Sequence, residues 1–172
     1  PSGGARDCYT LAIGHIEDGI RILDCLRSRK PPFNPEQVTA EYARALKNYH
    51  VSSVRGDRYS AEWVVQAFAK NGIHYITSEK SKSDLYSELL PLINSGQCQL
   101  LDDKKLFRQL LGLERRTSRS GKDSIDHGPR GFDDSANAVA GCLTSLMEGS
   151  DVGISTTPSK AVDYLYRYHS FD

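Results

Sequence analysis

Between Val51 and Ile76 the chain carries a pattern that few architectures accommodate. A short apolar run, Val51 to Val54, ends in Arg55-Gly56-Asp57. Tyr59 and Ser60 lead into a helix whose inward face should include Val64, Val65 and Phe68, and Asn71-Gly72 stops it. Ile73 to Ile76 is a second short strand. Two strands joined through a helix run parallel, and parallel sheets are covered by helices. The unit therefore predicts an α/β chain with helices flanking the sheet. Asp57 stands just beyond the carboxyl end of its strand, where open sheets place ligand chemistry. A salt bridge or a helix cap is an equally ordinary use for it.

The flanking segments extend that sheet. Cys8 to Ile16 alternates as a strand, Glu17-Asp18-Gly19 makes a tight turn, and Ile20 to Leu26 returns, giving an antiparallel hairpin. The sheet is therefore mixed. Arg27, Arg29 and Lys30 precede Pro31-Pro32 and read as a solvated loop rather than a nucleic-acid contact. Pro35 opens a helix with Val38, Tyr42, Ala45, Leu46 and Tyr49 on one face. Ser81-Lys82-Ser83-Asp84 precedes another, with Leu85, Leu89, Leu92 and Ile93 inward and Asn94-Ser95-Gly96 at its end. Lys80 and Lys82 either face a polyanion or are plain exposed lysines. Gln97 to Leu101 is a short strand, and Asp102-Asp103 reads as the cap of a helix containing Leu106, Leu110 and Leu113.

The polar stretch Glu114 to Arg130 carries Arg115, Arg116, Arg119, Lys122 and Arg130, with room for two edge strands around Ser120-Gly121. It is the best local candidate for contacting DNA phosphates, with a mobile surface loop as the alternative. After the last helix, Glu148-Gly149-Ser150 ends the compact pattern. Ser155 to Ser159 is linker-like, and Tyr164, Leu165 and Tyr168 offer a weak final helical or extended anchor.

At 172 residues the chain suits one domain with a sizeable core. With 22 basic and 22 acidic residues it has no overall basic signature, which lowers the expectation of nucleic-acid binding without removing it. Cys8, Cys25, Cys98 and Cys142 form no CxxC pair and read as reduced thiols, Cys142 as packing. No apolar run reaches membrane-spanning length. His15, His50, His74, His127 and His169 lack HExxH spacing, and no GxSxG elbow is present. His127 is near an acidic pair and can contact phosphate or shuttle a proton; a simple loop histidine is the competing reading.

That pair, Asp133-Asp134, opens a run in which Ala136, Val139, Ala140, Leu143, Leu146 and Met147 keep a helical stripe. Ala138 and Gly141 are small enough to let the helix lie close to a sheet. Asp133 can cap the helix and Asp134 can favour its positive end. If the helix instead packs across the sheet, the pair can converge with Asp57. Clustered carboxylates repel unless a cation or proton compensates them. Hard oxygen donors select magnesium or manganese over zinc. Two such ions about 4 Å apart can activate water and stabilise the leaving oxygen of a phosphodiester. A basic rim would position the backbone.

In order along the chain, Pro1-Ser2-Gly3-Gly4-Ala5-Arg6-Asp7, Tyr9 to Ile13, Arg55-Gly56-Asp57-Arg58-Tyr59, Lys82-Ser83-Asp84-Leu85-Tyr86 and Phe132-Asp133-Asp134-Ser135-Ala136-Asn137-Ala138 resemble the nuclease domain of the large terminase subunit of tailed bacteriophages and prophages. The resemblance covers roughly residues 1–147. It implies an RNase H-like mixed sheet flanked by helices, with residues 1–149 as the nuclease domain and 150–172 as linker and tail. It implies a metal-dependent endonuclease that cuts concatemeric double-stranded viral DNA, using two Mg²⁺ or Mn²⁺ ions.

By the same resemblance, Asp57 matches the second metal-binding acid and Asp134 the late acid on the last core helix. Asp133 matches an adjacent ligand or assistant, and Asp7 a further acid near the site. The family's first acid stands just before a Pro-Ser-Gly-Gly-like turn. The first catalytic strand is therefore expected to be truncated and the segment to be inactive alone. Implied partners are duplex DNA, an ATPase domain in the full-length chain, the portal and the small terminase subunit. The implied location is the host bacterial cytoplasm, transiently at the procapsid portal. A DNA-binding or structural packaging module without cleavage, or a transposase or junction resolvase, are the alternatives.

Overall fold

Two helical layers enclose a six-stranded mixed sheet in the computed structural model, which describes residues 8–57, 62–117, 123–129 and 131–146 and the backbone of Val162–Tyr166. β1 (Tyr9–Glu17) and β2 (Ile20–Arg29) form the expected antiparallel hairpin. Its turn places Asp18 and Gly19 at φ 51° and 78°, as a turn compatible with strand twist requires. α1 (Pro35–Asn48) follows. β3 (Ser53–Gly56), α2 (Glu62–Lys70) and β4 (His74–Thr77) form the expected parallel unit, with Val54 opposite Tyr75. Then come α3 (Lys82–Asn94), the short β5 (Cys98–Gln99) and α4 (Lys104–Leu111). β6 (Leu113–Thr117) and β7 (Asp123–His127) form a separate hairpin, in the stretch where two edge strands were anticipated. α5 (Asp134–Ser145) and β8 (Val162–Tyr166) complete the described elements.

The sheet order is β4-β3-β8-β1-β2-β5. β8 runs antiparallel to β1, with Thr10 opposite Tyr166, and parallel to β3, with Gly56 opposite Leu165. A segment read from sequence as part of a linker and tail thus supplies a central strand. The extended form of the anchor weighed for Tyr164 and Leu165 is the one adopted; Tyr168 lies outside the described residues.

Alternation along β1 builds two cores. Tyr9, Leu11 and Ile13 pack with Val38, Tyr42, Leu46 and Phe68 beneath α1 and α2. Ala12 joins Leu23, Leu85, Leu89, Leu106 and the apolar residues of α5 on the opposite face. A strand buried on both faces needs apolar side chains at successive positions, which is what β1 supplies.

α5 departs from the expected stripe, because every residue from Asp134 to Leu143 is buried. It lies between the sheet on one side and α3 and α4 on the other. The close approach depends on small residues. A Cβ on Gly14 would stand 2.6 Å from the Ile22 carbonyl oxygen and 3.2 Å from the Cys142 sulfur. Cys142 is fully buried there, as packing. Tyr49, Val65 and Ile93, expected inward, are 38–40% exposed. Tyr49 is the C-cap residue of α1, beyond its last full turn, and Ile93 is in the final turn of α3.

Candidate functional site

One edge of the sheet gathers the acids. β8 runs parallel to β3 and antiparallel to β1, so the carboxyl ends of β3 and β8 and the start of β1 share that edge. Asp57 directly follows β3, half-buried, and its backbone carbonyl accepts a hydrogen bond from Tyr75 Oη at 3.2 Å. α5 opens at the same edge. Near its start the Cys8 thiol donates to Asp134, and further along Cys142 meets Gly14 inside β1. The fold therefore brings Asp57 and the Asp133-Asp134 pair to one side of the molecule.

The two adjacent acids have different surroundings. Asp133 is the N-cap residue of α5 but makes no side-chain cap hydrogen bond. Gln109 Oε1 on α4 fills that role, accepting from the backbone N–H groups of Ser135 at 2.8 Å and Ala136 at 3.0 Å. The capping role weighed for the Asp133 side chain is thereby overturned. Its carboxylate, 2% exposed, turns to Tyr86 Oη at 2.8 Å and Lys82 Nζ at 3.0 Å. Asp134 instead lines a cleft of about 580 Å³ with Cys8, Lys105, Arg108, His127 and Phe132. Burial pushes the Cys8 thiol up from its ordinary pKa, the charge of Asp134 adds to that, and Lys105 opposes it.

A second acidic group shares Asp133 with the first. Asp126, His127 and Asp133 offer ligand atoms within 4.8 Å of one another. Lys82 Nζ, 2.5 Å from Asp126 Oδ1, bridges two of them. Burial pushes Asp126 up, but the hydrogen bond and charge of Lys82 and the His127 N–H outweigh it, leaving the carboxyl below the usual range. His127 Nδ1 lies 2.8 Å from the Gly128 carbonyl, which can only accept, so Nδ1 carries the proton. Nε2 faces Asp126 and Asp133 at 3.8 and 3.9 Å. His127 is thus placed against the acids rather than loose in a loop.

The basic residues expected to meet DNA are divided. Arg115 and Arg116 are exposed on β6, the first paired with Asp123 and the second 2.8 Å from Glu114. Such exposed pairs hold weakly and leave both arginines available to another anion. Arg119, Lys122, Arg130 and the acid Asp7 lie outside the described residues. Asp103 caps α4 as anticipated, through Leu106 N at 2.7 Å. Sequence reading missed Asp126, Tyr86, Gln109 and Cys8, and it left Lys82 between two surface roles. The one local signal was Lys82 beside the Ser81–Asp84 capping box, which fixes the first turn of α3.

No protein-family model matches the chain, and no curated protein is significantly similar to it. Solved structures are similar in fold. The large terminase nuclease of thermophilic phage G20c superposes with a TM-score of 0.71 at 21% identity, over 84% of this chain and 78% of that one. That nuclease has also been solved with bound magnesium and with bound cobalt. The nuclease domain of the Thermus phage P74-26 large terminase gives 0.61 at 21% identity, over 83% and 82% of the two chains. The large terminase of bacteriophage HK97 gives 0.63 at 13% identity, over 84% of this chain and 40% of that one. The chain has the RNase H-like fold of the large terminase nucleases.

Proposed function

We propose that this chain, built on the fold of the large terminase nucleases, is itself such a nuclease: a divalent-ion-dependent endonuclease that cuts concatemeric double-stranded viral DNA during genome packaging. The observation that carries the reading is the placement of Asp57 and Asp134 at one sheet edge, with Asp134 on a cleft that also holds cationic side chains. The first turn of α5 adds to it. Asp133, Asp134, Ser135 and Asn137 are all buried there, where apolar residues would pack at lower cost. Such departures from core chemistry concentrate at functional sites.

The donor set fits a hard divalent ion. Asp57 and Asp134 supply carboxylate oxygens, as magnesium or manganese prefers. Two such ions, when bound, supply activation of water and stabilisation of the leaving oxygen. Asp133 fits a ligand role less well, since Tyr86 and Lys82 already hold its carboxylate. It orients the start of α5, and through it Asp134. Lys82, shared by Asp126 and Asp133, offsets one of their two negative charges beside Asp134. His127 Nε2 can take or give a proton at the cleft wall. The solved G20c nuclease with magnesium supports the choice of ion.

Residues 1–149 together with β8 form the nuclease domain in this reading. Its partners are duplex DNA, an ATPase domain of the same polypeptide, the portal and the small terminase subunit. Its place is the host bacterial cytoplasm and, transiently, the procapsid portal. Asp133 held by Lys82 favours one second reading, a packaging module that binds DNA without cutting it.

Plasmid cleavage in Mg²⁺ or Mn²⁺ separates the two. The assay compares this segment with one extended upstream through the expected first acid. Cleavage should depend on the ion and vanish in Asp57→Asn and Asp134→Asn variants that still melt cooperatively. Robust cleavage by both segments that survives either substitution would overturn the assignment. Ion-independent binding without cleavage by the extended segment would favour the second reading.

A further inference from the structure

We infer that the cleft beside Asp134 is a cradle for one DNA strand, its phosphates held by Lys105 and Arg108 and a base held on the ring of Phe132; the identity of the polymer rests on the nuclease reading above. Neither cation belongs to the basic stretch that sequence analysis favoured for DNA contact.

Three observations build the cradle. Lys105, Arg108 and Gln109 stand at i, i+3 and i+4, one face of α4. Gln109 locks that face onto the start of α5 through Ser135 and Ala136. Lys105 and Arg108 are thereby held in fixed register with Asp134 across the cleft they share. Lys105 is further steadied by Ser28 Oγ at 2.9 Å, and Lys30 lines the same cleft. The two cations on α4 are about one turn apart, roughly 5 Å along the axis.

Phe132, immediately before the acid pair, is 74% exposed and lines the cleft. A large exposed aromatic beside clustered cations matches how proteins hold single strands, with phosphates on the cations and a base on the ring. The complementarity is local, because the chain as a whole is neutral. Lys104, next in sequence to Lys105, is exposed but does not line the cleft, so it serves as a control of equal charge.

Fluorescence anisotropy with an oligothymidine, in EDTA, tests the cradle without requiring turnover. The double variant Lys105→Gln, Arg108→Gln keeps much of the side-chain stems. It should bind the single strand at least tenfold more weakly, with a salt slope reduced by about 1.4 for two lost phosphate contacts. Phe132→Ala should weaken binding about tenfold, within the range of one lost stacking contact, and Phe132→Tyr should restore it. Lys104→Gln should change neither affinity nor slope. Unchanged affinity and slope in the double variant, or an equal loss in Lys104→Gln, overturns the cradle. Plasmid cleavage by the same proteins reports separately. Ion-dependent cleavage with unaltered binding sinks the cradle alone, whereas strand binding that responds as stated, without cleavage by the extended segment, sinks the nuclease reading alone.

Discussion

The ammonium of Lys82 lies 3.0 Å from the carboxylate of Asp133, and the two side chains are only 12% and 2% exposed. A charge this deep is tolerated because its partner is fixed beside it. Lys82→Met leaves the carboxylate with Tyr86 but no cation. Breaking a buried pair from one side should cost about 3 kcal/mol. Asp133→Asn in the same background should recover much of that loss, since the stranded charge is then gone. Urea denaturation of the four members of the cycle measures both effects. A loss in Lys82→Met no larger than that of an exposed-lysine control would show that the pair does not hold the start of α5.

Gln109 connects α4 to α5 through two backbone donors of the first turn. Gln109→Ala removes an N-terminal cap and should lower stability by roughly 1–2 kcal/mol. Gln109→Glu retains an acceptor and should lose less. Hydrogen exchange resolves the local consequence. The Ser135 and Ala136 amides should exchange faster in Gln109→Ala, while those of β1 slow or quicken only with global stability.

β8 makes a stronger claim about the limits of the folded unit. Ending the chain at residue 161 would strip β1 and β3 of the strand between them. Two unpaired edges would open in mid-sheet, with both cores adjoining the gap. The shortened chain should lose its cooperative thermal transition. An unchanged transition would show that β8 is dispensable and that residues 150–172 are a tail after all.

The parallel unit around Asp57, the first hairpin and the cap of α4 were legible because each is a local pattern. Periodicity, turn residues and strand ends lie within a few neighbours of one another. What escaped is long-range. Gln109 reaches a turn 26 residues away, and Tyr86 meets Asp133 across 47. Neither pairing leaves a periodic trace. The total burial of α5 was likewise invisible, because a stripe of apolar residues tells which face goes inward but not whether α3 and α4 will cover the other. For the acids, sequence order named the residues, but it could not tell that Asp133 faces Lys82 while Asp134 faces the cleft.

Cys8 reports on that cleft through its acidity. Its pKa is raised above the ordinary 9.0 by burial first and by Asp134 next, while Lys105 lowers it. The folded state therefore keeps the thiol proton above pH 9.0, where the unfolded chain releases it, and this contribution to stability is lost as pH rises through the folded value. Alkylation of Cys8 in EDTA, followed by peptide mass spectrometry across pH, reads the same quantity. Asp134→Asn should move the profile to lower pH and Lys105→Gln to higher pH. Identical profiles in all three proteins would place Cys8 away from both side chains.

Manganese binding reports on Asp57 and Asp134 together. Titration of the protein with Mn²⁺, followed by the paramagnetic signal of the free ion, counts what the sheet edge holds. Binding should be present in the parent protein, be weakened at least tenfold by Asp57→Asn and by Asp134→Asn, and be little changed by Asp126→Asn, whose carboxylate Lys82 already engages. Equal binding by the parent and both of the first two variants would contradict a site shared by Asp57 and Asp134.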